Sequence, residues 1–198
     1  MLEKLNEEET KHISDKIKEK TITQNQITKK IAAAAAFTGV GIVLGHINPF
    51  AFVPIIGAKI FPFAHFINAI TGVLIGLLFS STTALSIAII RYSLALGTIN
   101  AFHGHLAGAI VVSTTANILW QYKPKYIDMA AFTEPIGTIF IAGTIAEFIT
   151  PVQGVVSLEG LLFFWGLFAL SSIPGCILGY FVLKAIRRAG ITREDFIQ

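Results

Sequence analysis

The chain has 198 residues, 54% of them hydrophobic and 14% charged, with a formal net charge of +3. Soluble globular domains carry about 25% charged residues, so this balance points to a membrane protein and excludes an ordinary soluble domain. No basic cluster interleaved with aromatics marks a nucleic-acid surface, and the single cysteine, Cys176, excludes a disulfide framework and a thiolate metal centre.

Residues 1–28, MLEKLNEEETKHISDKIKEKTITQNQIT, mix both signs and contain neither Pro nor Gly. Leu2, Leu5, Ile13 and Ile17 give them helical spacing, so a polar cytoplasmic extension, helical on a surface, is expected. No short apolar core followed by a small-residue cleavage site is visible, so no secretory signal is expected. Six stretches then approach the length of about 20 residues that crosses a ~30 Å hydrocarbon core. They fall at 29–46, 63–80, 82–99, 103–121, 128–149 and 159–183. The run SSTT at 80–83 separates the second from the third, and Thr150-Pro151 closes the fifth. Pro174 is expected to kink the sixth. Residues 47–62, INPFAFVPIIGAKIFP, hold three prolines and a glycine and read as an apolar outer loop folding back over the bundle.

Charge placement sets the orientation. Of fifteen Lys and Arg, seven precede Ile31 and four lie at or beyond Lys184. With both termini cytoplasmic, the outer side receives only Lys59, as the positive-inside rule requires. The fold expected is therefore an all-α integral membrane bundle of six transmembrane helices. The membrane domain runs over 29–183, followed by a basic cytoplasmic tail at 184–198.

Three groups of residues carry candidate function. The first helix opens IAAAAAFTGVGIVLG, with small residues spaced by four at Ala32/Ala36, Ala35/Gly39 and Gly41/Gly45. Such a face admits a second helix closely, inside the bundle or from a partner. Arg91 and Glu134 stand in apolar runs, where a charge at mid-depth costs ~2.5–3.5 kcal/mol on insertion scales. At ~1.5 Å per residue both are expected roughly 9–13 Å from the cytoplasmic edge, where they would form a buried ion pair. The third group, Lys59, His65, Asn68, Asn100, His103, His105, Glu147 and Glu159, collects at the outer end and is expected to converge on a small-molecule cavity. His103-Gly104-His105 lacks an adjacent carboxylate, so neither metal nor cofactor is expected. There is no G-x-x-x-x-G-K-[ST] phosphate loop, so the chain does not power itself with ATP. No H-E-x-x-H, G-x-S-x-G or Cys/His nucleophile pair favours an enzyme.

GAKIFPFAHFINAITGVLIG at 57–76, IIR at 89–91, GTINAFHGHLAGAI at 97–110 and EPIGT at 134–138 resemble the ThiW family. These are substrate-binding S components of energy-coupling factor transporters, assigned to uptake of the thiazole precursor of thiamine. By position, Lys59, Pro62, His65 and Asn68 match the first motif and Arg91 the second. Gly97, Thr98 and Gly104 match the third, and Glu134, Gly137 and Thr138 the last. Where relatives tend to read F-P-G, this chain has Phe102-His103-Gly104. The resemblance implies capture of hydroxyethylthiazole from outside, with Phe61 or Trp165 stacking on its ring. His65, Asn68 or His103 would bond the ring nitrogen and hydroxyl, with Lys59, Asn100 and Glu147 nearby. It also implies docking, through Ala32, Ala35, Ala36 and Gly39, on a transmembrane coupling subunit carried by two ATPases. Two other readings stay open: an S component for another vitamin or precursor, the thiazole phosphate included, and a self-sufficient proton-coupled secondary transporter.

Overall fold

The computed structural model describes residues 2–48 and 60–197. Every regular element among them is helical. The order is α1 (Leu2–His46), α2 (Pro62–Leu74), α3 (Leu77–Ser93), α4 (Asn100–Tyr122), a composite fifth segment, α6 (Leu158–Arg188) and a last turn α7 (Glu194–Ile197). The fifth segment begins as a 3-10 helix over Pro124–Thr133, widens to a π-helix over Ile136–Ala142 and ends as α5 (Gly143–Ile149). Three helical stretches are long and apolar enough to cross a membrane: Ser14–His46, Pro124–Ile149 and Leu158–Arg188.

Several boundaries differ from the sequence reading. With no Pro or Gly before Gly39, α1 runs unbroken from the polar extension into the apolar stretch. The second and third stretches are parted at Ile75-Gly76, not at SSTT. Gly76 has φ of +80°, a conformation that only glycine adopts without a steric penalty. The Ser/Thr run stays helical, and within it the hydroxyls of Thr82 and Thr83 donate to the Phe79 carbonyl, at 2.9 and 2.7 Å. Consequently α2 and α3 have 13 and 17 residues, shorter than the span length expected. The third stretch also ends early, at Ser93, and Leu94–Ile99 form a turn in which Ala95 has positive φ. Helix α6 continues through Pro174. Of the loop between α1 and α2, residues 49–59 lie outside the described region, Lys59 among them. Its flanks are tied by Asn48 Nδ2 donating to the Ile60 carbonyl at 2.8 Å.

The core forms around α2. Ile67, Ala69, Ile70 and Val73 are wholly inaccessible, and α2 packs against α6, α4 and α3. Proximity to α6 depends on Gly175, where a Cβ would strike the Pro62 carbonyl and lie 2.8 Å from His65 Cβ. Asp128 takes Lys184 at 3.2 Å and Arg187 at 2.9 Å, binding the fifth segment to the end of α6. Many apolar side chains face outward, Leu78, Phe148 and Phe181 among them, as expected of a surface bathed in lipid rather than water.

Candidate functional site

Polar side chains converge where α2 begins. Glu134 stands between the 3-10 and π stretches of the fifth segment, and its carboxylate is completely buried. Oε1 accepts from His65 Nδ1 at 2.7 Å, Thr138 Oγ1 at 2.6 Å and Asn68 Nδ2 at 3.3 Å. Oε2 accepts from Ser172 of α6. Four donors from three elements thus offset the cost of burying one charge. Gly108 of α4 completes the socket, because a Cβ there would collide with the carboxylate. Thr138 lies one helical turn beyond Glu134, on the same face, within a π stretch of the kind that recurs at functional sites.

This arrangement fixes His65. With Nδ1 turned to Glu134, the ring carries its second nitrogen, Nε2, on the edge away from the carboxylate. His65 is one wall of a cavity of about 80 Å³. Other walls come from Phe61, Arg91, Gly97, Thr98, Asn100, Gly104, His105, Phe168 and Ser171. Phe61 is held at the mouth of α2 by its N–H donating to Ser171 Oγ at 3.0 Å. Its ring lies beneath the Arg91 guanidinium, 3.7 Å from ring centroid to Cζ, a cation–π arrangement. Arg91 Nη1 is 3.2 Å from His105 Nε2 and Nη2 donates to the Leu96 carbonyl at 3.0 Å.

The expected Arg91–Glu134 ion pair is therefore corrected. Glu134 pairs with His65, and among the described residues Arg91 has no carboxylate within salt-bridge distance. The reason is register: α3 begins at Leu77 and ends at Ser93, so Arg91 falls in its last turn. That turn is at the cavity end of the bundle, beside the start of α4, and not near the opposite end as the expected depth required.

The other candidates divide. Asn68 sits beneath the cavity, donating to the His105 carbonyl at 2.9 Å as well as to Glu134. Asn100 lines the cavity, and its Oδ1 is 3.1 Å from His103 Nε2. His103 itself is half-buried and stands edge-on to Phe168. Glu147 is wholly buried but away from the cavity: it accepts from the N–H groups of Ser157 at 3.0 Å and Val152 at 3.3 Å. It therefore holds the turn before α6, whose N-cap Ser157 in turn accepts from Gly160 N. Trp165 also lies elsewhere, donating to Thr144 Oγ1 at 3.2 Å and packed edge-on against Phe140. Glu159 is exposed at the start of α6. Sequence reasoning missed the α6 wall, Leu167, Phe168 and Ser171. Its one signal was Ser171-Ser172, an adjacent hydroxyl pair in an otherwise apolar helix.

On α1 the small residues split between two faces. Ala32, Ala35, Ala36 and Gly39 are exposed, and a Cβ on Gly39 would meet nothing within 4 Å. Gly41 and Gly45 point inward, against Ile87 and Arg91.

Compared with known families, residues 31–189 match the one described as thiamine-precursor transporter protein (ThiW). The chain belongs to the ThiW family. It is accordingly a transporter and not an enzyme, a multi-pass protein of the plasma membrane whose substrate is a small molecule. No curated protein and no solved structure matches it. In this ThiW chain the cavity walls Arg91, Gly97, Thr98 and Gly104 and the buried Glu134, Thr138 and Asn68 all lie in the stretches on which the resemblance was read.

Proposed function

We propose that this ThiW-family chain is the substrate-binding S subunit of an energy-coupling factor importer and that it captures hydroxyethylthiazole. The observation that carries the reading is the cavity at the start of α2, one of whose polar walls, His65, is oriented by a buried carboxylate. A volume of about 80 Å³ corresponds to about three water molecules at ~30 Å³ each. That suits a small heterocyclic alcohol better than intact thiamine. The Phe61 ring and Arg91 guanidinium offer an apolar face and N–H donors for a ring nitrogen. The His65 ring, held in place by Glu134, offers Nε2 as a hydrogen-bonding partner for the alcohol hydroxyl.

In this mechanism the chain binds and orients, and energy comes from elsewhere. Ligand enters from outside, and the six-helix bundle with both termini cytoplasmic then docks on a coupling subunit carried by two ATPases. Support for docking comes from the exposed face Ala32, Ala35, Ala36 and Gly39, which carries no bulky side chain to hold a partner helix away. Support for the orientation comes from the gathering of Lys29, Lys184, Arg187 and Arg193 at the end opposite the cavity.

Isothermal titration of the purified chain with hydroxyethylthiazole, its phosphate, thiamine and the pyrimidine precursor tests the reading. Saturable heat with the thiazole alcohol alone is expected. No heat with any of the four overturns the assignment, and preference for the phosphate moves it to the anionic ligand. Docking is tested by Ala36→Leu, which should abolish co-purification with the coupling module while leaving titration unchanged.

A further inference from the structure

A second cavity, of about 470 Å³, lies at the other end of α2 and α4. Its walls include Lys30 of α1, the Ile75–Phe79 break between α2 and α3, Asn117, Trp120 and Arg193. Arg193 is 3% exposed, although it belongs to a segment whose composition reads as a solvated basic tail. Its guanidinium reaches back into the bundle, donating to the Val73 carbonyl at 2.7 Å and to Asn117 Oδ1. Its Nε–H is buried without a partner. Burial and the neighbouring Arg187 lower its pKa to about 10, which leaves it a cation at neutral pH.

Two independent features of this cavity favour an anion. Arg193 and Lys30 both line it, and among the described residues no salt bridge neutralises either. Carboxylates of the C-terminal turn and the fifth segment have other partners: Asp195 accepts from Thr192 N at 2.7 Å, and Asp128 holds Lys184 and Arg187. The N-terminus of α3 opens into the same space. It has no side-chain cap and no acidic residue in its first turn, so its first N–H groups and dipole are free to meet negative charge. The rim, by contrast, is apolar, with Leu77 42% and Leu78 68% exposed.

We propose that this cavity binds the phosphate headgroup of an anionic phospholipid, its acyl chains lying along Leu77 and Leu78. A phosphodiester accepts from Lys30, Arg193 and the α3 N–H groups together. Trp120 stands beside it, as an indole does at a headgroup boundary. The apolar rim argues for a lipid over free phosphate, which gains nothing from exposed leucines. Bound lipid would join α1, the α2–α3 break, α4 and the C-terminal turn at the end where the basic residues gather.

The test is native mass spectrometry of the detergent-purified full chain mixed with dioleoyl phosphatidylglycerol or dioleoyl phosphatidylcholine. Retention of phosphatidylglycerol and not phosphatidylcholine is expected, with affinity about fivefold weaker in Lys30→Gln, at roughly one surface cation, and weaker also in Arg193→Gln. Because Arg193→Gln also removes bonds to Val73 and Asn117, Leu78→Glu gives a second reading: it leaves those bonds intact and should repel the lipid. Equal retention of both lipids, or unchanged retention in Lys30→Gln and Leu78→Glu, overturns the proposal. Displacement of the lipid by millimolar inorganic phosphate also overturns it, because the site would then be one for the free ion.

Discussion

Glu134 and Glu147 lie on the same segment and are equally buried, yet their surroundings give them different tasks. Glu134 is met by side chains, His65 and Asn68 from α2, Thr138 from its own segment and Ser172 from α6. Glu147 is met by backbone, the N–H groups of Val152 and Ser157 in the turn that follows. A carboxylate bound by side chains fixes the direction of those side chains, and here one of them walls a cavity. A carboxylate bound by backbone fixes a loop. Burial alone therefore does not identify a binding residue; the kind of donor does.

The comparison can be broken experimentally, most severely at Glu134. Glu134→Ala leaves the donors of α2 and α6 without their acceptor and should cost ~3–5 kcal/mol. Thermal unfolding in detergent should show the loss, together with abolished hydroxyethylthiazole binding. Next comes Gly108→Ala, whose methyl group would occupy the space of the carboxylate. Overpacking of this kind costs about 1–3 kcal/mol, and by shifting Glu134 it should also weaken ligand, read by titration of the folded fraction. For Glu147→Gln the expected loss is also about 1–3 kcal/mol, but ligand affinity in the folded protein should be unchanged. A parallel fall in affinity would show that the turn before α6 contributes to the cavity. The smallest effect is expected for Trp165→Phe, which removes one hydrogen bond worth about 0.5–1.5 kcal/mol. It should leave titration untouched, and loss of binding there would return Trp165 to the site.

The same contrast explains what the sequence could and could not disclose. His65, Asn68 and Asn100 were legible because polar groups spaced along helix starts must be satisfied at one end of an apolar bundle. Phe61 entered only through the family resemblance, and the structure places it among the cavity walls. Glu147 was misassigned because a sequence shows that a carboxylate is buried, not whether side chains or backbone bind it. The expected partner of Arg91 is wrong through one boundary: SSTT reads as a separator, but its two threonine hydroxyls return to the Phe79 carbonyl and the helix continues. Gly76, the real break, was hidden as one glycine among many. Arg193 was read as tail because nothing in AGITRED signals that its arginine turns back to the Val73 carbonyl at the end of α2. Local composition showed helices and their polar ends; the bends between them came from single residues whose effect depends on tertiary partners.

The central claim is that the cavity at the start of α2, oriented by Glu134 through His65, holds the thiazole precursor. Titration of hydroxyethylthiazole into the wild-type chain and into Glu134→Gln, which keeps the shape and removes the charge, tests it most directly. Saturable one-to-one binding to the wild type and at least tenfold weaker binding to the variant are predicted, about 1.4 kcal/mol or more. Equal affinity in the two proteins, or no binding to the wild type, would contradict the account.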